Sequence, residues 1–426
     1  MPRRLRHIGD FNRLWGGLTV SEVGSQVTVL AFPTLAVLGF HAGPATVGLL
    51  VAAARLPFPV LSLLAGVIVD RARKRPLMVV CDLARVAILV AIPLLWATGA
   101  LQLWHLYVAT VGMGMFTVFF DIAFLAYVPA LVGQEKLLGA NSRLEVSISA
   151  SGLIGPGLGG LLVQAMGAAR AVLADATSFV VSAAALLTIR HHELTPERRE
   201  RRPVLREMGE GIRHVFANRV LRAQLLCMSV AGLFAHAFEG PFYVYAYNQL
   251  HVSPGFVGGV LATGGVGAIA GTLLASRVTR RVGVGPSITI FDGLAIGLAA
   301  FIPLATVLPP AAVLFPTWAL MGAFGTIGNI AQVTLRQSLS PPHLQGRMTA
   351  VFRTFFWGAW PLGNLLGGVV AAAIGASTTI WTSSVLGLLA NLTIIATPLW
   401  RVRDFGKSPV TEPVGQLEPH PGATLD

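Results

Sequence analysis

The sequence is poor in charged residues for its length. Asp, Glu, Lys and Arg account for 12% of the 426 residues, whereas soluble domains contain about 25%. A soluble fold of this size needs a far more polar surface, so the low charge content excludes one. The long apolar stretches match the length of about 20 residues that crosses ~30 Å of hydrocarbon. They predict a polytopic membrane protein.

Cysteine and several catalytic signatures are also scarce or absent. The two cysteines, Cys81 and Cys227, lie near predicted cytoplasmic ends of apolar stretches, and a disulfide is not expected in that reducing compartment. The sequence has no Walker-type phosphate loop, no paired histidine ligands and no nucleophile with a nearby base. These absences argue against an ATP-driven pump, a metal site and an enzyme, and no cofactor is expected.

The apolar pattern predicts an all-α membrane protein with twelve spans in two pseudo-symmetric six-helix bundles. The spans, numbered in chain order, are predicted at 14–38, 46–69, 77–98, 103–129, 141–166, 170–190, 221–247, 254–276, 287–307, 311–337, 347–374 and 377–399. The predicted domains are a bundle at 1–190, a charged linker at 191–219 with a short surface helix from Val204 to Val215, a second bundle at 220–400 and a tail at 401–426. The tail, rich in Pro, Gly and Thr, is predicted to be disordered.

Lys and Arg are concentrated in every second gap between spans. The gap after span 2 carries Arg71, Arg73, Lys74 and Arg75, whereas the intervening gaps hold a single cation, Arg170. Because cytoplasmic loops retain Lys and Arg, this asymmetry predicts a multi-pass protein of the plasma (inner) membrane with both termini in the cytoplasm. The net charge of +12 then belongs to loops that touch anionic lipid, and no nucleic-acid partner is expected.

The two halves of the chain resemble each other. Gly159, Gly160 and Gly167 in and after span 5 recur as Gly367, Gly368 and Gly375 after 208 residues. A six-helix unit duplicated about an axis along the membrane normal is a transporter architecture.

A charged motif follows span 2. Gly66, Asp70, Arg71 and Arg75 have the spacing of the signature of the major facilitator superfamily, which this loop resembles. An acid and several bases at a helix junction can form a gate between the halves, and the alternative is an ordinary cation-rich loop. The corresponding segment after span 8, Arg277 to Arg281, lacks the acid.

A glycine-rich motif lies inside span 5. Gly155, Pro156, Gly159 and Gly160 are similar to the antiporter motif of the superfamily, although Ser151 occupies its first glycine position. Small residues allow close helix packing and proline can kink the helix, so packing alone is the alternative explanation. The run also satisfies G-x-G-x-x-G, but its place within a span excludes a dinucleotide site. The motif is more frequent in exporters of the superfamily than in importers.

Other segments make the chain similar to the branch that contains enterobactin-type and macrolide-type exporters. These segments are Leu14-Trp15, Ser21 to Gln26, Asp82 to Arg85 and Asp175 to Phe179. The resemblance implies that spans 1, 4, 7 and 10 line a central cavity.

Ionisable residues inside the spans are candidates for the transport pathway. Placing a charged side chain at the bilayer centre costs about 2.5–3.5 kcal/mol, so each one is expected to have a function. The candidate proton and substrate pathway consists of Glu22, Gln26, Arg55, Asp121, His236, Glu239, Asn329 and Gln332. Glu22 or Asp121 would carry a proton with Arg55 tuning it, or all three would form a structural ion network. Glu239, with His236 one turn away, would titrate or serve packing.

Two further pairs are expected to be structural. Asp175 is expected to pair with Arg170, and Asp82 with Arg85 at a cytoplasmic gate.

The resemblance implies a monomeric secondary transporter that exports small amphipathic molecules by alternating access, with proton antiport. The alternatives are a uniporter or importer of a small polar solute, and a non-transporting sensor. The linker at 191–219 is too short for the output domain that a sensor usually carries.

Overall fold

The computed structural model describes residues 2–133, 136–190 and 204–405. Within those ranges the chain is helical without strands, and twelve helices are long and apolar enough to cross a membrane. The all-α prediction with twelve spans is thereby confirmed. The loop histidines His191 and His192 and the predicted disordered tail beyond residue 405 lie outside the described ranges.

The helices follow the predicted spans closely. Spans 1 to 6 are Pro2–Thr34 with the π-helical turn Leu35–Gly39, Pro44–Arg55 with Pro57–Arg71, Lys74–Ala97, Leu103–Val132, Leu137–Met166 and Ala168–Thr188. Spans 7 to 12 are Arg219–His236 with Glu239–Val244 and the π-helical turn Tyr245–Gln249, Pro254–Val282, Val284–Leu298 with the 3₁₀ turn Ala299–Thr306, Pro310–Ser338, Pro342–Ile374, and Ala376–Leu392 with the 3₁₀ turns Thr393–Ala396 and Pro398–Arg401.

The two halves repeat the same local geometry. Gly167 joins spans 5 and 6 at φ +81°, and Gly375 joins spans 11 and 12 at φ +89°, a conformation that glycine adopts without a steric penalty. Spans 2 and 8 both begin with proline, Pro44 and Pro254, where the missing N–H costs nothing. These equivalent turns support the duplication read from the sequence.

The apolar cores are distributed unequally between the two ends of the spans. We call the end that carries Arg71, Arg75 and the linker the cation-rich end, and the opposite end the cation-poor end. At the cation-poor end one core contains residues of both halves, such as Leu35 and Phe242. At the cation-rich end the halves have separate cores, one around Met78 and others in the second half. The space between the halves is therefore open toward the cation-rich end.

The linker helix is Val204–Ala217, close to the predicted surface helix. It packs on span 11, where Glu210 accepts a hydrogen bond from Arg347 and Gly211 lies against the Arg347 backbone. Val215 is fully buried. The helix is thus attached to the second half.

Candidate functional site

Arg85 of span 3 is the central cation of the first half. It is buried and donates a hydrogen bond of 2.5 Å to Asp82, one turn earlier. Its guanidinium also lies over the rings of Phe120 and Phe179, 4.6 and 4.0 Å from their centroids. The predicted Asp82–Arg85 pair is present, but it lies midway along its span rather than at the end. Aromatic faces and one carboxylate hold this cation in place.

Glu22 and Asp121 share the electrostatic environment of Arg85. Each carboxylate interacts electrostatically with Arg85, and the two interact with each other. Arg353 of span 11 also acts on Asp121. Over the described part of the chain, neither Glu22 nor Asp121 accepts a hydrogen bond. Both side chains are half-buried. These two acids are therefore held by charge and not by fixed donors.

Asp175 is surrounded by hydroxyl groups and not by the arginine that was expected as its partner. Its carboxylate accepts hydrogen bonds from Thr28 at 2.5 Å, from Ser178 at 3.2 Å and from Ser25 at 3.4 Å. The expected partner Arg170 is exposed instead. Hydroxyl groups of spans 1 and 6 satisfy Asp175, so the expected Asp175–Arg170 pair is wrong.

In the second half, Glu239 is the centre of a hydrogen-bonded network. Its Oε2 accepts from Trp360 Nε1 at 2.7 Å and from Asn364 Nδ2 at 3.1 Å, and its Oε1 lies 2.8 Å from His236 Nδ1. The His236 ring also stacks on Trp360 with centroids 4.1 Å apart. Three donors thus fix this carboxylate, in contrast to Glu22 and Asp121.

Arg55 of span 2 reaches across to this network. Its guanidinium carbon lies 4.3 Å from the centroid of Trp360. Because His236 stacks on the same ring at 4.1 Å, the two groups occupy opposite faces of the indole. The expectation that Arg55 tunes Glu22 and Asp121 therefore differs from the structure. Arg85 is the cation that interacts with those acids, and Arg55 joins the two halves.

The remaining pathway candidates lie on span 10. Asn329 is exposed, and Gln332 donates a hydrogen bond of 2.6 Å to Asp292 of span 9. Arg336, one turn further, lies over Phe352 with a distance of 4.6 Å to the ring centroid. The structure thus separates the eight candidates into a Glu22–Asp121 group, a Glu239 group and a span 10 group.

The span 5 motif packs on two helices at once. A Cβ atom at Gly155 would lie 2.5 Å from Cγ of Gln26, and one at Gly159 would lie 3.1 Å from Cα of Val27, so both glycines face span 1. A Cβ atom at Gly160 would lie 2.8 Å from Cα of Gly258 in span 8 of the other half. Gln26 is thus a packing partner of the motif in this structure, and Gly160 permits contact between the halves.

Span 11 repeats this arrangement with the other helices. Cβ atoms at Gly363 and Gly367 would meet the backbone of span 7 at 2.2 and 1.8 Å, and one at Gly368 would lie 2.9 Å from Cα of Gly48 in span 2. Two glycine pairs, Gly48–Gly368 and Gly258–Gly160, therefore join the halves at the cation-poor end.

The charged motif after span 2 lies at the opposite end. Gly66 has open space around its Cα, and Arg71 is exposed. Arg75 donates hydrogen bonds to the carbonyls of Leu186 and Leu187, at 2.7 and 2.5 Å, at the end of span 6 of the same half. The side chain of Asp70 is outside the described atoms. A gate between the halves at this motif stays a prediction.

Sequence reasoning missed the roles of Trp360 and Asn364, and it placed Arg85 at a gate. The 208-residue repeat contained a signal for the first two, because Gly152 and Pro156 of the span 5 motif correspond to Trp360 and Asn364 of span 11. Polar groups at such positions in an apolar span are candidates for function.

The chain matches the family described as transmembrane secretion effector over residues 5–416. It is 28% identical over 408 residues to the multidrug efflux pump Tap of Mycolicibacterium fortuitum, covering 93% of this chain and 97% of the pump. It is 27% identical over 337 residues to the enterobactin exporter EntS of Salmonella typhi, covering 76% of this chain and 74% of the exporter.

Solved structures show the same fold. A bacterial homologue of the lysosomal transporter Spinster, inward-facing and unoccupied, aligns with a TM-score of 0.72 at 14% identity, covering 93% of this chain and 97% of the homologue. A bacterial homologue of the iron transporter ferroportin, in an inward-facing state, aligns with a TM-score of 0.69 at 18% identity, covering 91% and 98%. The relatives and the fold are those of multi-pass membrane transporters and not of enzymes, and the chain belongs to the transmembrane secretion effector family of the major facilitator superfamily.

Proposed function

We propose that the protein is a secondary active exporter of small amphipathic molecules that works by alternating access and proton antiport. In this mechanism Glu22 and Asp121 bind the proton and the substrate leaves as the halves rock. The observation that carries the proposal is that these two acids interact electrostatically but accept no described hydrogen bond, whereas Asp82, Asp175, Asp292 and Glu239 each have at least one hydrogen-bond partner.

The contrast matters because a coupling group must change its charge. Three donors stabilise the ionised form of Glu239 and hold its orientation. Glu22 and Asp121 have only the charge of Arg85 and, for Asp121, that of Arg353. Because two interacting like charges repel each other, protonation of one of the two acids is favourable. A cationic group of a substrate would compete for the same pair, which couples its release to proton entry.

The arrangement of the halves supports alternating access. They touch through Gly48–Gly368 and Gly258–Gly160 at the cation-poor end and have separate cores at the cation-rich end. If the cation-rich end is cytoplasmic, this state accepts substrate from the cytoplasm. The relatives named as a multidrug efflux pump and an enterobactin exporter support the outward direction.

Proteoliposome flux tests the proposal. Purified protein is reconstituted and export of fluorescent amphipathic dyes, beginning with ethidium, is followed with and without a pH gradient, while an internal pH dye reports proton movement. We expect flux driven by the gradient, and we expect Glu22→Gln and Asp121→Asn each to abolish the coupled proton movement. Glu145→Gln is the matched control, because Glu145 is an exposed acid of span 5.

Two results would contradict this mechanism. Flux that does not depend on the gradient would favour the uniporter alternative. Unchanged proton movement in both Glu22→Gln and Asp121→Asn would assign those acids a structural role.

A further inference from the structure

Two buried acids occupy equivalent positions in the two halves. Asp82 is the ninth residue of Lys74–Ala97 in span 3, and Asp292 is the ninth residue of Val284–Leu298 in span 9. Asp82 is fully buried and Asp292 is 8% exposed. The duplicated fold therefore places a carboxyl group inside each half at the same depth of its helix.

The partners of the two acids differ. Asp82 has Arg85 at 2.5 Å, whereas the residue equivalent to Arg85 in span 9 is Ala295. The partner of Asp292 is the amide of Gln332, at 2.6 Å. A Cβ atom at Gly328 would lie 1.9 Å from Oδ1 of Asp292, so the carboxyl group is pressed against the bare backbone of span 10.

No described cation neutralises Asp292. Span 12, Ala376–Leu392, carries no charged residue, and Arg336 of span 10 lies over Phe352 of span 11. The other cations on the packed helices are Arg219 and Arg222 in span 7, Arg277, Arg280 and Arg281 in span 8, and Arg401 and Arg403 after span 12. None of these described cations interacts electrostatically with Asp292. An ionised carboxylate buried without a cation is strongly unfavourable.

The surrounding polar groups offer acceptors. Gln224 Nε2 donates to the carbonyl of Gln332, while its Oε1 has no described partner. Asn391 Nδ2 donates to the carbonyl of Thr289, while its Oδ1 likewise has no described partner. Both amides are fully buried. The polar side chains around span 10 thus include buried acceptors without donors, and a protonated carboxyl group is a donor.

We propose that Asp292 is a proton-binding site of the second half and carries its proton in this state. The proton forms the O–H bond of a neutral carboxyl group, which donates to the amide oxygen of Gln332. Exchanging the amide oxygen and nitrogen of Gln332 makes the 2.6 Å contact an O–H···O bond, for which that length is ordinary, whereas it is short for N–H···O. Gln332 then connects the proton to span 10.

Infrared spectroscopy of the full-length protein in detergent tests the site directly. At neutral pH the wild type should show carbonyl stretches of protonated carboxylic acids, shifted in D₂O. Asp292→Asn should lose the component that Glu22→Gln and Asp121→Asn retain. Asp82→Asn is the matched control and should retain the whole band, because the Arg85 guanidinium bound to Asp82 favours its charged form. A complete band in Asp292→Asn, or loss of a carboxylate band there instead, would overturn the assignment.

A second variant keeps the acid and removes its partner. Gln332→Leu should retain the carbonyl band and move it to higher frequency, because the carboxyl group loses its hydrogen-bond acceptor. If the band is unchanged in Gln332→Leu, the Asp292–Gln332 contact is contradicted. This test remains available if Asp292→Asn fails to fold. Glu22→Gln and Asp121→Asn should leave the Asp292 band in place, so this outcome is independent of the proton-coupled export proposed above.

Discussion

Spans 5 and 11 have the same glycine pattern but different polar residues. In both, two glycines pack on the first helix of their own half, and a third meets a glycine of the opposite half, in the pairs Gly160–Gly258 and Gly368–Gly48. Between these glycines, span 5 has Pro156 and span 11 has Asn364, and one turn earlier Gly152 corresponds to Trp360. Only in span 11 do these positions bind Glu239.

The comparison separates two roles of the glycine motif: close helix packing and the placement of a polar network. Close packing depends on the glycines, which both spans share, because a Cβ atom at any of these six positions would lie 1.8 to 3.1 Å from an atom of a neighbouring helix. Of the two spans, only span 11 contributes side chains to the polar network with Glu239 and Arg55. Close packing of the glycines therefore does not require the network. We therefore expect symmetric losses when a glycine is changed and asymmetric losses when the network is changed.

The largest effect is expected at the glycine pairs. Gly160→Ala and Gly368→Ala place a Cβ atom 2.6 to 2.9 Å from backbone atoms of the opposite half, and no rotamer change can relieve such a contact. Overpacking costs about 1–3 kcal/mol or more, so each variant should reduce export roughly 100-fold by disfavouring closure at the cation-poor end. Initial export rates, normalised to the amount of protein in the membrane, measure this.

Gly152→Ala and Gly358→Ala are the matched controls, because both positions lie in the same two spans and have open space around the added atom. They should export at near wild-type rates. The symmetric interpretation fails if Gly160→Ala and Gly368→Ala differ widely from each other, or if either behaves like its control.

The sequence alone was sufficient to predict the spans and the internal repeat. Apolar length and glycine spacing are local properties, so the twelve spans and the 208-residue repeat could be predicted before the helices were placed. The Asp82–Arg85 pair was predictable for the same reason, since residues three apart share one helix face.

Contacts between distant spans could not be predicted in this way. Apolar spans carry little information on how each helix is rotated against its neighbours, and several rotations bury similar surfaces. Arg55 was therefore assigned to Glu22 and Asp121, whereas it packs on Trp360, and Asp175 was assigned to Arg170, whereas it binds Thr28.

An intermediate effect is expected at Trp360. Trp360→Phe keeps a ring for His236 and Arg55 but removes the N–H donor to Glu239. A hydrogen bond to a charged group contributes about 1.5–3 kcal/mol, and because Asn364 and His236 still hold Glu239, we expect the lower value and a roughly tenfold slower export.

Trp15→Phe provides the control, because Trp15 donates to the neutral hydroxyl of Ser147 within the first half. It should lower thermal stability slightly and leave the export rate near that of the wild type. Equal export defects in Trp360→Phe and Trp15→Phe would remove the special role assigned to the Glu239 network.

The smallest effect is expected at Arg55, whose contact with Trp360 joins the two halves. A cation–π contact contributes about 0.5–2 kcal/mol, so Arg55→Gln should open the cation-poor end a few-fold more often. Labelling of Ala45→Cys, beside Gly368, with an impermeant maleimide measures that opening in a background without Cys81 and Cys227. Arg170→Gln removes an exposed arginine and should leave labelling unchanged. Because the contact needs both partners, Arg55→Gln should add nothing in a Trp360→Leu background, and additive increases would show that Arg55 acts through another group.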